Sequence, residues 1–445
     1  MYILILNVSV GGFMKAVWNE KILPEFPSLE EDIKTDVAIV GGGLAGILTA
    51  YFLKKSGVDC VVIEKDRICS GNTGRTTAKI TYQHGLIYDK LISKYGINVA
   101  AEYLAANKNA LDEYKKLCAS ISCDFEIKDA FVYSKNGREK IEKEAEAYSR
   151  LGVSADIVDE IPIPVKNSVA VRVRDQAQFD PIKFVFEISK GLTVYEHTFA
   201  RKIGSKKVIT DRGTVTAEKI VCATHFPVIN KHGSYFLKMY QHRSYVIALS
   251  NAPDVGGMYI DEEDTGLSFR NYNGFLFLGG GGGRTGKQCR EWRYLRELAE
   301  HYYPESSVEY YWAAQDCMSL DGIPYIGNYS LFTPDIYVET GFNKWGMTGS
   351  MAAARIVSDA VTGKKNGFAE AFSPSRSILT KQLLINGCET AKNLLTPSPR
   401  VCPHLGCALK WNRAEHSWDC PCHGSRFTEE GALLDVPSMK NLKKK

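Results

Sequence analysis

Four cysteines fall within 21 positions near the end of this 445-residue chain. They stand in the strings Cys402-Pro403-His404-Leu405-Gly406-Cys407 and Cys420-Pro421-Cys422-His423-Gly424-Ser425. Each string pairs a thiol with an imidazole, as Cys402-x-His404 and Cys420-x-x-His423, so each tight loop can close on a metal. Two cysteines and two histidines satisfy tetrahedral zinc. Zinc fingers, however, usually pair Cys with Cys and His with His, whereas here each loop supplies one of each. The other eight cysteines (Cys60, Cys69, Cys118, Cys123, Cys222, Cys289, Cys317 and Cys388) are scattered without ligand spacing. Twelve in all is too few for a secreted disulfide scaffold.

A second signature lies near the other end. The apolar run Asp36–Val40 leads into Gly41-Gly42-Gly43-Leu44-Ala45-Gly46, then a helical pattern closed by Gly57, then Cys60–Ile63 ending in Glu64. A lone GxGxxG is weak evidence. Here it sits between strand and helix, with an acid 18 residues beyond Gly46, as a dinucleotide fingerprint requires. Gly41 permits the tight turn, Gly43 lets a pyrophosphate reach the backbone, and Gly46 allows the helix to pack on the strand. The helix N-terminus at Leu44-Ala45 attracts phosphate, and Glu64, beside Lys65, can accept hydrogen bonds from a ribose.

The C-terminal strings closely resemble a Rieske iron–sulfur domain, in which two thiolates hold one iron and two imidazoles the other. The resemblance implies a 2Fe-2S cluster ligated by Cys402, Cys420, His404 and His423. It also implies a Cys407–Cys422 disulfide, as in one large Rieske subgroup. Ser425 matches a serine that donates to a cluster sulfur in high-potential members. Phe427 stands where those members often carry a tyrosine, so a potential below that of respiratory cytochrome bc complexes is expected. Few residues precede Cys402 compared with a full Rieske domain. The truncated β-rich domain at 401–445 is near the size at which a metal or disulfide must help hold the core.

The loop Ser70–Ala78 after Glu64 resembles the second cofactor loop of the D-amino-acid-oxidase-like flavoprotein family. Gln176–Pro181, Lys219–Thr224 and Tyr337–Phe342 followed by Asn343–Thr348 fit the same family. The resemblance implies FAD, with Gly41, Gly43, Leu44, Ala45, Gly46, Glu64, Lys65, Thr73, Arg75, Thr76, Ala223, Gly341, Gly346, Met347 and Thr348 as its contacts. The helix from about Thr348 would point its N-terminal dipole at the flavin. The whole chain is similar to bacterial fusions of such a flavoprotein with a Rieske domain.

These residues need a particular scaffold. The expected fold class is α/β: a Rossmann-like FAD-binding domain with an inserted mixed-sheet substrate domain, plus the small C-terminal cluster domain. The boundaries expected are an N-terminal extension at 1–29, an oxidoreductase body at 30–375, a helix and linker at 376–400, and the cluster domain. Within the body, FAD pieces at 30–120, 175–235 and 315–370 alternate with substrate pieces at 121–174 and 236–314. The linker from Glu389 holds two prolines and is too short for a wide swing, so a docked or swapped cluster domain is expected. Gly279–Gly283 has no acid-ended strand at the required distance and is expected to be a flexible loop. Arg243 and Arg284 are candidates for holding a substrate carboxylate, though a structural arginine is the plainer account of each. His225 is a candidate base, with a satisfied structural histidine again the plainer account.

Composition sets the outer bounds. Hydrophobic residues make up 44% and charged residues 24%, as in soluble globular chains. A net charge of +4 offers no field for nucleic acid, and the Lys443–Lys445 run reads as a solvated tail. Met1–Phe13 is too short to span a bilayer and lacks a signal-peptide pattern. Met14 is favoured as the start, and the protein is expected to be cytoplasmic, with no transmembrane segment. Without a nicotinamide site, electrons are expected to come from a small amine or amino-acid-like molecule. They would go to FAD and then singly to the cluster and an outside acceptor. A homo-oligomer is left open, and electron relay or redox sensing without an organic substrate is the alternative function.

Overall fold

The computed structural model describes residues 15–20, 24–165, 168–229, 232–263 and 266–443. The readings of Met1–Phe13 and Met14 lie outside these residues, as do two of the three terminal lysines.

Two large sheets share one body. The first has eight strands and runs Tyr325–Asn328, Ile336–Thr340, Thr214–Cys222, Ile33–Val40, Cys60–Ile63, Thr193–Tyr195, with Ala200–Gly204 and Lys207–Thr210 appended. Val40 pairs with Cys222 on one side and Ile63 on the other, all in parallel register. The second half of Ile33–Val40 is fully buried, which is what a central parallel strand covered on both faces requires. The chain leaves this strand to one side and returns on the other, so a crevice opens at its carboxyl end. Helices Leu44–Lys55 and Gly346–Val361 pack beside each other on the sheet and bring both N-termini toward that crevice.

The second sheet has nine strands, ordered Ser307–Ser319, Met239–Ser250, Phe275–Arg284, Ser268–Tyr272, Met258–Asp261, Glu126–Ser134, Val169–Gln178, Lys79–Ile80, with Asp156–Val158 at the side. Two of its strands, Val169–Gln178 and Ser307–Ser319, run across the positions 174/175 and 314/315 where the sequence suggested domain changes. Asp180 caps the helix Pro181–Ile188 by accepting from the Ile182 and Lys183 amides.

The glycine run needs a correction. Gly279–Gly283 is no loop: it lies within the strand Phe275–Arg284 and pairs with Met239–Ser250, with a register shift between Arg243 and Tyr245. The glycines answer to close approach. A Cβ on Gly282 would lie 2.1 Å from the Arg243 carbonyl, and one on Gly281 2.8 Å from that of Glu291.

The C-terminal domain is a four-stranded antiparallel meander, Lys410–Asn412, Ser417–Asp419, Arg426–Thr428, Leu433–Asp435. Its small core contains Cys402, Cys407, Cys420, Cys422 and Phe427. The helix Lys381–Leu395 leads into it, and the domain is docked on the body. Among the described residues, no helix is long and apolar enough to cross a membrane.

Candidate functional site

A cavity of about 360 Å³ opens where the first sheet's crevice meets the second sheet. Gly41, at φ +113°, brings its Cα so close to the next strand that a Cβ would lie 2.4 Å from the Ala223 carbonyl. Gly43, Leu44 and Ala45 follow on the cavity wall, with Ala223 opposite. Glu64 accepts from the Gly42 amide at 2.7 Å and the Asp66 amide at 3.0 Å, and burial raises its pKa. Lys65, Thr73, Arg75 and Thr76 line the same space, as do Gly346 and Met347 from the opposite helix start. Three expected contacts sit behind the wall. Gly46 underpins the turn, where a Cβ would come 2.0 Å from the Gly41 carbonyl. Gly341 turns the chain at φ +74°, and the Thr348 hydroxyl faces inward to the Thr81 carbonyl at 3.0 Å. Backbone amides, a helix N-terminus and two cations at one acid-ended strand suit a dinucleotide, so the residues fit FAD.

Three further residues shape this cavity, and none carries a sequence signal. His84 is buried beneath it, stacked on Trp345 at 4.8 Å and bonded to Tyr103, Thr81 and Thr348. Burial drives its pKa down to about 3, so the ring is neutral and serves as a strut for the Trp345–Thr348 segment. Lys79 lines the cavity, and burial, reinforced by Arg270, lowers its pKa to about 7. Arg270 is fully buried; its Nη1 holds the Ala78 carbonyl at 3.0 Å and also the Thr77 carbonyl, while Nε and Nη2 have no partner. Sequence does not mark them because each depends on segments far apart in the chain.

The second cradle is built from side chains. The sulfurs of Cys407, Cys420 and Cys422 lie within 4.8 Å of one another, and Cys402 contacts Cys420. That trio is all sulfur, whereas a mixed centre also needs imidazoles. The rings of His404 and His423 meet edge to face at 5.1 Å. His423 Nδ1 is buried with no hydrogen-bond partner, while the ring bonds the Phe236 backbone. A bare buried nitrogen beside converging thiols is able to take a metal, and the donor set fits a 2Fe-2S cluster. Ser425 bonds Cys402 and accepts from the Ser438 amide at 2.9 Å. Cys407 and Cys422 are both thiols here, in side-chain contact.

The two cradles share a seam, and both candidate arginines belong to it. Arg243 donates through Nε to Glu415 at 3.0 Å and through Nη2 to its second oxygen, with side-chain exposures of 2% and 0%. Burial pushes the Glu415 pKa up, but Arg243 and Arg426 outweigh it and hold the carboxyl below its usual value. Arg284 donates to the Pro421 carbonyl at 2.9 Å and that of Cys422 at 3.1 Å. Neither arginine is among the residues that line the cavity: Arg243 turns to Glu415 between the cavity-lining His242 and Ser244, and Arg284, paired opposite His242, reaches to the Pro421 and Cys422 carbonyls, so the contacts of both favour the plainer, structural account. His225 does line the cavity, at φ +66°, with Nε2 3.1 Å from Gln241 Oε1, and burial lowers its pKa.

Gln241 and Gln315 complete the seam. Gln315 Nε2 donates to the Gly424 carbonyl at 2.9 Å, and a Cβ on Gly424 would strike Gln241 Cγ at 2.2 Å. His423 faces Phe226 and Phe236 at 6.4 and 6.2 Å. Since Gln315 itself lines the cavity, one residue separates the second cluster loop from the dinucleotide space.

Comparison with known proteins agrees with this geometry. The model of a family described as FAD dependent oxidoreductase matches residues 36–360, and that of the Rieske [2Fe-2S] domain matches 378–445, taking in the helix Lys381–Leu395. The Rieske 2Fe-2S iron–sulfur protein YhfW of Bacillus subtilis is 36% identical, with 95% of each chain covered. Among solved structures, L-proline dehydrogenase from P. horikoshii superposes with a TM-score of 0.66 at 19% identity, over 79% of this chain and 98% of its own. Glycine oxidase from Geobacillus kaustophilus gives 0.63 at 18%, over 77% and 99%. At such identities the likeness to these two is one of fold.

Proposed function

Because the chain belongs to the FAD-dependent oxidoreductase family and carries a Rieske [2Fe-2S] domain, we propose that it dehydrogenates a small amine or amino-acid-like substrate and exports the electrons through its C-terminal domain. Bound FAD would supply the acceptor for a hydride from the amine-bearing carbon, with the nitrogen's proton released to solvent and the resulting imine left to hydrolysis, and a bound cluster would supply one-electron export to an acceptor outside the chain. The observation that carries this reading is the seam. The His423–Gly424 loop rests on Gln241 and Gln315, and an oxidase that handed electrons to oxygen at the flavin would need no such docked domain.

The residues divide the work. Arg75 and the Leu44 helix start hold the pyrophosphate end, and Glu64 the ribose. Lys79 stands where the cavity meets the second sheet, so an anionic group on the substrate would meet it, with Arg270 fixing the Thr77–Ala78 backbone behind. An anion there favours the charged form of Lys79 and raises its pKa from about 7. His225 lies between the seam glutamines and the cavity, with burial favouring its neutral form and Nε2 held 3.1 Å from Gln241 Oε1, so it fixes the orientation of this corner of the cavity.

The test is anaerobic. Protein with its cluster intact is mixed with amines and amino acids while flavin absorbance and the reduced-cluster EPR signal are followed. Bleaching by an organic donor, with the EPR signal rising afterwards, is the expected result. Bleaching only by a reductase system would instead make the protein an electron relay.

A further inference from the structure

One wall of the dinucleotide cavity comes from the far end of the chain. Leu434, Asp435, Val436 and Met439, all in the C-terminal domain, line the space that holds the Gly41–Ala45 turn. They stand at the Glu64 end. Lys65, the next residue, donates Nζ to the Leu434 carbonyl at 3.3 Å. Val436 packs against the apolar cluster containing Val40 and Ile63, the two strand ends beside the turn. Asp435 accepts from Arg426 Nη1 at 3.0 Å and lies in the field of Arg75, itself a cavity residue.

We infer that Leu434–Met439 is a second segment of the FAD-binding site, contributed by the Rieske domain and covering the adenosine end of the cofactor. This rests on the FAD assignment and goes beyond it, because the nucleotide fingerprint places the whole adenosine site within the first third of the chain. The same segment is tied to the cluster. Ser438 donates its amide to Ser425 Oγ at 2.9 Å, Ser425 bonds Cys402, and the Ser425 carbonyl accepts from the Cys420 amide at 2.9 Å. One serine therefore joins two cluster ligands to the FAD wall. Binding at two sites linked through one folded element is reciprocal: an intact cluster domain raises FAD affinity, and FAD stabilises the docked domain by the same factor. A molecule that loses its iron–sulfur exit also loses its hold on the flavin.

The test uses the full-length protein with both cofactors and reads FAD release, by free-flavin fluorescence after desalting, rather than turnover. Val436→Ala combined with Met439→Ala removes the apolar cover while leaving the Arg426 network alone. FAD should leave at least tenfold faster with the cluster's visible and EPR spectra unchanged, and wild-type protein stripped of iron by a chelator should release FAD with a similar gain. Release at the wild-type rate in both preparations overturns the inference. Should the double variant lose its cluster, Val436→Ala alone asks the same question with a smaller change, and unchanged release again overturns it. A wild-type protein that binds no FAD at all would instead sink the FAD assignment, an outcome the same fluorescence assay separates.

Discussion

His84 and His423 are both buried, one in each cofactor cradle, and they are opposites. His84, under the dinucleotide cavity, has both ring nitrogens engaged by Tyr103, Thr81 and Thr348. His423, in the cluster cradle, keeps Nδ1 buried with no partner. A buried polar atom without a partner costs free energy unless something else occupies its lone pair. The first histidine is therefore built as a strut, while the second keeps a nitrogen free to take a metal. The contrast extends to the cradles. One is made mostly of backbone, spread over strand ends and two helix starts; the other is made of side chains on two short loops.

A cradle of side chains should fail at a single substitution. Cys420→Ala removes a thiolate that contacts Cys402, Cys407 and Cys422 at once. The expected outcome is complete loss of the Rieske EPR signal and of the C-terminal domain's resistance to proteolysis, since so small a core leans on its metal. A domain that remains protected without iron would break the comparison.

The seam comes next in size. Arg243→Met leaves Glu415 buried against one fewer cation. Breaking a buried pair from one side costs about 3–5 kcal/mol, so the C-terminal domain should undock before the body unfolds. Two transitions in thermal unfolding, one followed by cluster absorbance and the other by tryptophan fluorescence, should replace one. A single unshifted transition would mean that the pair contributes little to docking.

The backbone cradle should yield by degrees. Gly41→Ala must place a Cβ 2.4 Å from the Ala223 carbonyl at φ +113°. Strain of about 1–3 kcal/mol predicts FAD binding weakened by roughly five- to 150-fold, with the EPR signal intact. Equal loss of both cofactors would show that the cradles are not separable at this turn.

What the sequence made legible follows the same division. The glycine turn, Glu64 and the Cys–His strings are local patterns whose spacing is itself the geometry, so they could be placed before any fold was known. Arg243 could not, because its partner Glu415 lies 172 positions away and nothing local separates a docking arginine from a substrate anchor. Gly279–Gly283 misled for a related reason. Glycine also serves where two backbones nearly touch, and that neighbour is invisible in sequence. Lys79, Arg270 and His84 lie outside every motif, and their roles come only from what three-dimensional packing sets beside them.

The smallest effect sharpens the histidine contrast. With its folded pKa near 3 and an ordinary value of 6.5, His84 takes up a proton in the unfolded chain well before it does so in the folded one. The stability it brings is complete above about pH 6.5 and is lost as pH falls toward 3, by at most about 1.4 kcal/mol per unit. Between pH 7.5 and 5.5 the wild type should therefore lose about 1.4 kcal/mol that His84→Gln does not lose. Substitution lowers stability at both pH values by removing the Trp345 stack, so the slope rather than the level is the readout. Chemical denaturation at the two pH values gives that slope. Parallel losses in the two proteins would mean that His84 takes up its proton in the folded state at the same pH as in the unfolded chain, which its three hydrogen bonds and its stacking on Trp345 argue against.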